Sequence, residues 1–170
     1  MMDMTKTPAN PQTTVASAPK RSLTPRRRAR EYALQGVYQS LVMRRAGSLP
    51  NAAAIAKQLA EDPGFRRCQL ELFQGIFSGV LERTDELEGL ITPALDRPIN
   101  ELSPVEHAAL LIGTYELAID LAVPYKVAIN EAVELAKTFG GTDGHKYVNG
   151  VLDLLAKTLR STEIQAVEIR

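Results

Sequence analysis

A chain of 170 residues with 45% hydrophobic and 24% charged side chains is enough for one domain with a packed core, burying roughly 70% of its unfolded surface. Its single cysteine, Cys68, excludes an internal disulfide and a Cys-rich metal site and points to a reducing compartment, and no stretch approaches the roughly 18 apolar residues of a membrane span. The zero net charge hides a split, since residues 1–31 hold seven basic against two acidic side chains and the remainder 13 against 18, a basic end on an acidic body that suits an anionic partner.

Residues 1–24 are rich in Thr, Pro, Ala, Ser and Asn, with no apolar period, and are expected to form a disordered tail. No apolar h-region precedes the arginines, which argues against a secretory signal and places the chain in the cytoplasm. Thr24-Pro25 is an N-cap followed by Pro at the first helical position. From there Ala29, Ala33, Val37 and Leu41 recur every four residues and predict a helix over about 26–45. Gly47-Ser48-Leu49-Pro50 breaks it. An Ala-rich helix follows over about 51–61 and stops near Asp62-Pro63-Gly64.

Leu70, Phe73, Phe77, Val80, Leu87 and Ile91 then keep one helical rhythm, predicting a single long helix ended by Thr92-Pro93. Gly75 and Gly79, four apart, share a face where another helix can approach closely. Arg97-Pro98 marks a connector. The next start is a capping box, in which the Ser103 hydroxyl accepts from the Glu106 amide and the Glu106 carboxylate reaches back, with Pro104 at the first position. The apolar face Val105, Ala108, Ala109, Ile112 and Leu117 runs to about residue 121, and Val123-Pro124 interrupts. A helix with Ile129, Ala132, Val133, Ala136 and Phe139 stops at Gly140-Gly141, and a last one carries Val148, Val151, Leu152, Leu155 and Leu159. The domain is expected to span 25–161, with 162–170 frayed. Nothing has the pattern of a strand, so the expected fold is an all-α bundle of about six to seven helices, in two halves about the Pro-bounded connector.

Two segments carry binding chemistry. Arg26, Arg27, Arg28 and Arg30 cluster at the start of an amphipathic helix; guanidinium groups pair with phosphates, and cations there oppose the helix dipole. Asp143, Lys146 and Tyr147 open the last helix, where an aromatic ring beside a cation suits base stacking next to a phosphate, although a plain N-cap with a satisfied His accounts for the same junction and is the simpler reading of these residues alone. The G-x-x-x-x-G-K-[ST] spacing of a P-loop is missing. There is no nucleophile elbow, no H-E-x-x-H and no Cys/His cluster, so neither catalysis nor a metal or other cofactor is expected. His107 follows Glu106, but adjacent helical positions do not share a face. The acidic run Glu82–Glu88 has the character of a solvated face.

Arg26-Arg27-Arg28-Ala29-Arg30-Glu31 with Ala33-Leu34-Gln35 and Tyr38, the block Val123-Pro124-Tyr125-Lys126-Val127-Ala128-Ile129-Asn130-Glu131-Ala132, and His145-Lys146-Tyr147-Val148-Asn149-Gly150 together resemble the NusB family of transcription antitermination factors, over about residues 25–157. The resemblance implies an all-α protein of two three-helix halves. It also implies pairing with NusE, a small-subunit ribosomal protein, and binding of single-stranded boxA RNA in nascent transcripts, which supports ribosomal RNA transcription by the RNA polymerase elongation complex. The RNA surface it implies comprises Arg26, Arg27, Arg28, Arg30, Asp143, Lys146 and Tyr147, and the NusE surface Tyr38 and Glu106. His107 and Leu111 stand where some relatives carry basic residues, altering the electrostatics expected of that partner face. The competing expectation is a helical protein–protein scaffold without specific RNA binding.

Overall fold

The computed structural model describes residues 23–169. Eight α-helices and three short 3-10 turns make up this part of the chain, in the expected all-α class but with one helix more than the upper expectation. The tail reading for 1–24, with its Lys20 and Arg21, lies outside the described residues apart from Leu23 and Thr24.

Helix α1 (Pro25–Arg45) starts as its sequence dictates: Thr24 Oγ1 accepts the Arg27 amide at 3.1 Å, with Pro25 at the first position. The stripe Ala29, Ala33, Val37 and Leu41 is buried. Gly47 ends the segment with φ +80°, a left-handed conformation that costs glycine little. Helix α2 (Ala52–Ala60) is capped by the Asn51 side chain on the Ala54 amide and buries only Ile55. A 3-10 turn, Pro63–Arg67, leads into α3 (Leu70–Glu82). Tyr32, Phe65, Phe73 and Phe77 pack in series between α1, this turn and α3, with ring centroids 5.0–5.5 Å apart, the first two pairs edge-to-face and Phe73–Phe77 stacked.

The single helix expected over 70–91 is two, α3 and α4 (Thr84–Ile91), joined at Arg83 (φ −119°, ψ 19°). The Thr84 hydroxyl donates to the Val80 carbonyl at 2.9 Å, competing for the acceptor that continuation of the helix would use. Val80 and Leu87 are seven apart, so the apolar rhythm runs across the break and conceals it. Of the two glycines expected to admit a neighbour, Gly79 does: a Cβ there would collide with the ring of Tyr115, whereas one at Gly75 meets nothing within 4 Å.

Helix α5 (Pro104–Ala118) is the hub. Its capping box forms as written, and His107 through Thr114, with Glu116 and Leu117, are buried. A helix apolar on all sides belongs at the centre of a bundle. It packs on α1, α3 and α4 on one side and on α6 (Tyr125–Phe139) and α7 (Gly144–Leu159) on the other. The α5–α6–α7 contact needs Gly113, where a Cβ would sit 2.6 Å from Leu152 and 3.0 Å from Ala132. Helices α1–α3 and α5–α7 thus form two halves sharing one core, with α4 between them in sequence.

Helix α5 ends at Ala118, short of residue 121, because Arg160 takes over its last carbonyls. The buried guanidinium donates to the carbonyls of Leu117, Glu116, Asp120 and Val123 at 2.8–3.3 Å. The tail expected to fray is helical over α8 (Ser161–Glu168). Glu163 fastens it, pairing with Arg160 and accepting the Tyr125 amide at the start of α6 at 3.0 Å. Burial opposes ionisation of Glu163, but the Tyr125 amide and the Arg160 guanidinium outweigh it and hold its pKa below the ordinary range.

Candidate nucleic-acid interface

The four arginines at the start of α1 face different ways because a helix turns about 100° per residue. Arg26 is exposed, beside Gln69, Tyr115 and Asp120. Arg28 is half-buried, with Nη1 reaching over Gly64 of the 63–67 turn. Neither makes an ion pair with a described residue. Arg27 pairs with Glu131 of α6 at 3.3 Å while remaining 37% exposed, and that hydrogen bond and charge raise its pKa.

Arg30 corrects the expectation of a four-arginine surface. Its side chain is 3% exposed, and Nε and Nη2 each donate to a Glu116 oxygen at 2.9 Å. Burial alone would lower its pKa, yet the Glu116 carboxylate holds it above the ordinary value. It cannot reach a phosphate without opening the core. The sequence did contain the signal: Arg30 lies three, four, seven and eleven residues before Ala33, Leu34, Val37 and Leu41, on the core face.

At the start of α7, Lys146 and Asp143 are both exposed and pair at 3.3 Å. Gly144 lets this end pack on α5, since a Cβ there would fall 2.7 Å from Glu106 Oε1. Half-buried Tyr147 donates its hydroxyl to Asp96 Oδ1 at 2.8 Å, and the Arg97 guanidinium lies 4.5 Å from its ring centroid. Asp96 Oδ1 also accepts Arg97 Nε at 2.9 Å, so one carboxylate holds cation and phenol together. These bonds, Arg97 first and then Tyr147, depress the Asp96 pKa, while burial and then the Asp96 hydrogen bond raise that of Tyr147. Sequence reasoning took Arg97 only as part of a connector. The Tyr147 ring is therefore covered by a cation on one face and packs partly against the core, leaving it half-exposed.

The two groups of residues form separate stations. The arginines meet the 63–67 turn and the middle of α6, whereas Tyr147 sits against residues 96–97. No hydrogen bond joins them among the described residues.

Tyr38, 41% exposed, lines a groove of about 710 Å³ with Val42, Phe139 and Val105. Glu106 is half-buried and bound into its capping box, with Oε2 accepting the Ser103 amide at 3.4 Å. His107 and Leu111 are buried and present no side-chain surface beside Glu106. His107 instead links elements: Nε2 lies 2.9 Å from Glu88 Oε1, and Nδ1 3.3 Å from Arg45 Nη2. Since Arg45 can only donate, Nδ1 accepts and Nε2 carries the proton given to Glu88.

Comparison with known proteins shows the family and the fold. The sequence pattern of the NusB family matches residues 27–157. The transcription antitermination protein NusB of Bordetella pertussis is 52% identical over 145 residues, 85% of this chain and 94% of that protein. A NusB structure from T. maritima superposes with a TM-score of 0.66 at 29% identity, covering 81% of this chain and 94% of the other. A complex of the antitermination factors NusB and NusE with double-stranded RNA contains a similar fold, with a TM-score of 0.65 at 24% identity, covering 78% of this chain and 96% of that one.

Proposed function

The chain belongs to the NusB family, and from that premise we propose that it is a transcription antitermination factor that binds boxA RNA of nascent transcripts together with NusE. In this reading it acts in the cytoplasm as a binding protein of the RNA polymerase elongation complex, supporting ribosomal RNA transcription. The observation that carries the reading is the pair of arginines that form no ion pair with a described residue, Arg26 and Arg28, at the first turn of α1. Two such guanidinium groups at a helix end that repels cations are poorly placed for stability and well placed for phosphate.

Arg26 and Arg28 anchor the backbone, and Arg27 joins them once phosphate displaces Glu131. Lys146 and Tyr147 form the second station, where the exposed part of the ring stacks a base. The Tyr38 groove seats NusE, with Glu106 holding the start of α5, whose Val105 lines the groove. The test is fluorescence anisotropy with a boxA oligonucleotide and a scrambled control, across a salt series, with and without NusE. Tighter boxA binding that NusE strengthens is the expected result. Equal and feeble binding of both RNAs in the presence of NusE leaves a helical protein–protein scaffold instead.

A further inference from the structure

The turn between α2 and α3 carries two more arginines, Arg66 and Arg67, both exposed. Neither forms an ion pair or a side-chain hydrogen bond with a described residue. The turn that bears them is held at several points. Asp62 Oδ1 accepts the Gly64 amide at 2.8 Å, and Phe65 is clamped between Tyr32 and Phe73. Beyond the turn, the Gln69 amide donates to the Pro25 carbonyl at 2.9 Å, tying this segment to the first turn of α1. Arg28 Nη1 lies 3.6 Å from the Cβ position of Gly64. The aromatic anchor is held between Tyr32 and Phe73 while Arg66 and Arg67 are exposed, on a turn that the Gln69–Pro25 bond and the Arg28–Gly64 approach bring beside the first turn of α1. The acidic groups nearby are Asp62, whose Oδ1 accepts the Gly64 amide, Glu71 and Asp120, which share a cleft with Arg26, and Glu31, which shares one with Arg28.

We propose that Arg66 and Arg67 extend the RNA path past α1, gripping the phosphates of single-stranded RNA that flanks the boxA element. The inference rests on the RNA-binding reading above and adds a second segment to that surface. A turn fixed at both ends lowers the ordering entropy of binding, and arginine suits phosphate because its fork matches two oxygens.

The test uses the full chain with NusE and two RNAs, boxA alone and boxA lengthened by a few nucleotides at either end, with scrambled counterparts. Wild type is expected to bind the longer RNA more tightly. In R66A/R67A that gain disappears, affinity for the longer RNA falls about tenfold, and the log K against log salt slope drops by about 1.4, two phosphates at about 0.7 each. The charge-preserving R66K/R67K retains most of the slope. Both side chains are exposed, and an unchanged thermal melt confirms the fold. An unchanged slope and flank gain in R66A/R67A overturns the inference. A slope that falls in the double variant upholds it even where boxA and scrambled RNA bind alike, a result that sinks the sequence-specific reading instead.

Discussion

Arg30 and Glu116 form a closed two-point bridge through the centre of the bundle, Nε to Oε1 and Nη2 to Oε2, both at 2.9 Å with both side chains buried. The bridge joins α1 of the first half to α5, and the backbone of the same Glu116 accepts from Arg160. Removing one partner strands the other charge in the core. Arg30→Ala or Glu116→Ala is therefore expected to lower unfolding free energy by about 3–5 kcal/mol in urea titrations. The double replacement Arg30→Met with Glu116→Leu is expected to recover most of that loss. If the singles cost under about 1 kcal/mol, the pair is not desolvated as described.

Much of the fold was legible because its signals are local. Thr24-Pro25 and the Ser103–Glu106 box cap helices as written, and the stripes at 29–41 and 148–155 bury the expected faces. What escaped was set by partners far away in sequence. Arg160 meets carbonyls some 40 residues earlier, Asp96 meets Tyr147 across 51, and Arg30 meets Glu116 across 86. The arginine cluster was visible as charge, but its division into exposed, paired and buried members follows from helical phase against the core. The break at Arg83 escaped for another reason, an apolar interval of seven that fits one helix as well as two.

His107 gives the stability a pH dependence whose sign follows from its setting. Burial lowers its pKa; Glu88 opposes that, and Arg45 and Arg44 reinforce it. Below its ordinary value of 6.5 the unfolded chain takes up a proton that the folded chain resists. Stability is thus full above that pH and falls as pH drops through it. Denaturant midpoints between roughly pH 7.5 and 5.5 should decline more steeply in wild type than in His107→Gln. Parallel curves would show that His107 titrates alike in both states.

Tyr147 is expected to act through its ring rather than its hydroxyl. Tyr147→Phe loses the Asp96 bond but keeps the surface between Arg97 and the incoming base. It should hold boxA affinity within about twofold, whereas Tyr147→Ala should lower it by about tenfold, the worth of one stacked base, and reduce the boxA-to-scrambled ratio as well. A ratio unaltered by Tyr147→Ala removes this residue from the reader.

The three outward arginines are not equivalent, and the salt dependence of RNA binding should separate them. Arg26 and Arg28 give up no ion pair with a described residue on meeting phosphate, so Arg26→Ala and Arg28→Ala should each flatten the slope by about 0.7. Arg27 must first leave Glu131, 3.3 Å away, and that exchange offsets part of its gain. Arg27→Ala should accordingly weaken binding less than either neighbour. The converse is sharper. Glu131→Gln removes the competing carboxylate and a negative charge beside the RNA path, and is expected to tighten binding by up to about fivefold, the release of one surface ion pair. Weaker binding by Glu131→Gln would mean that the pair orients Arg27 for RNA instead of withholding it.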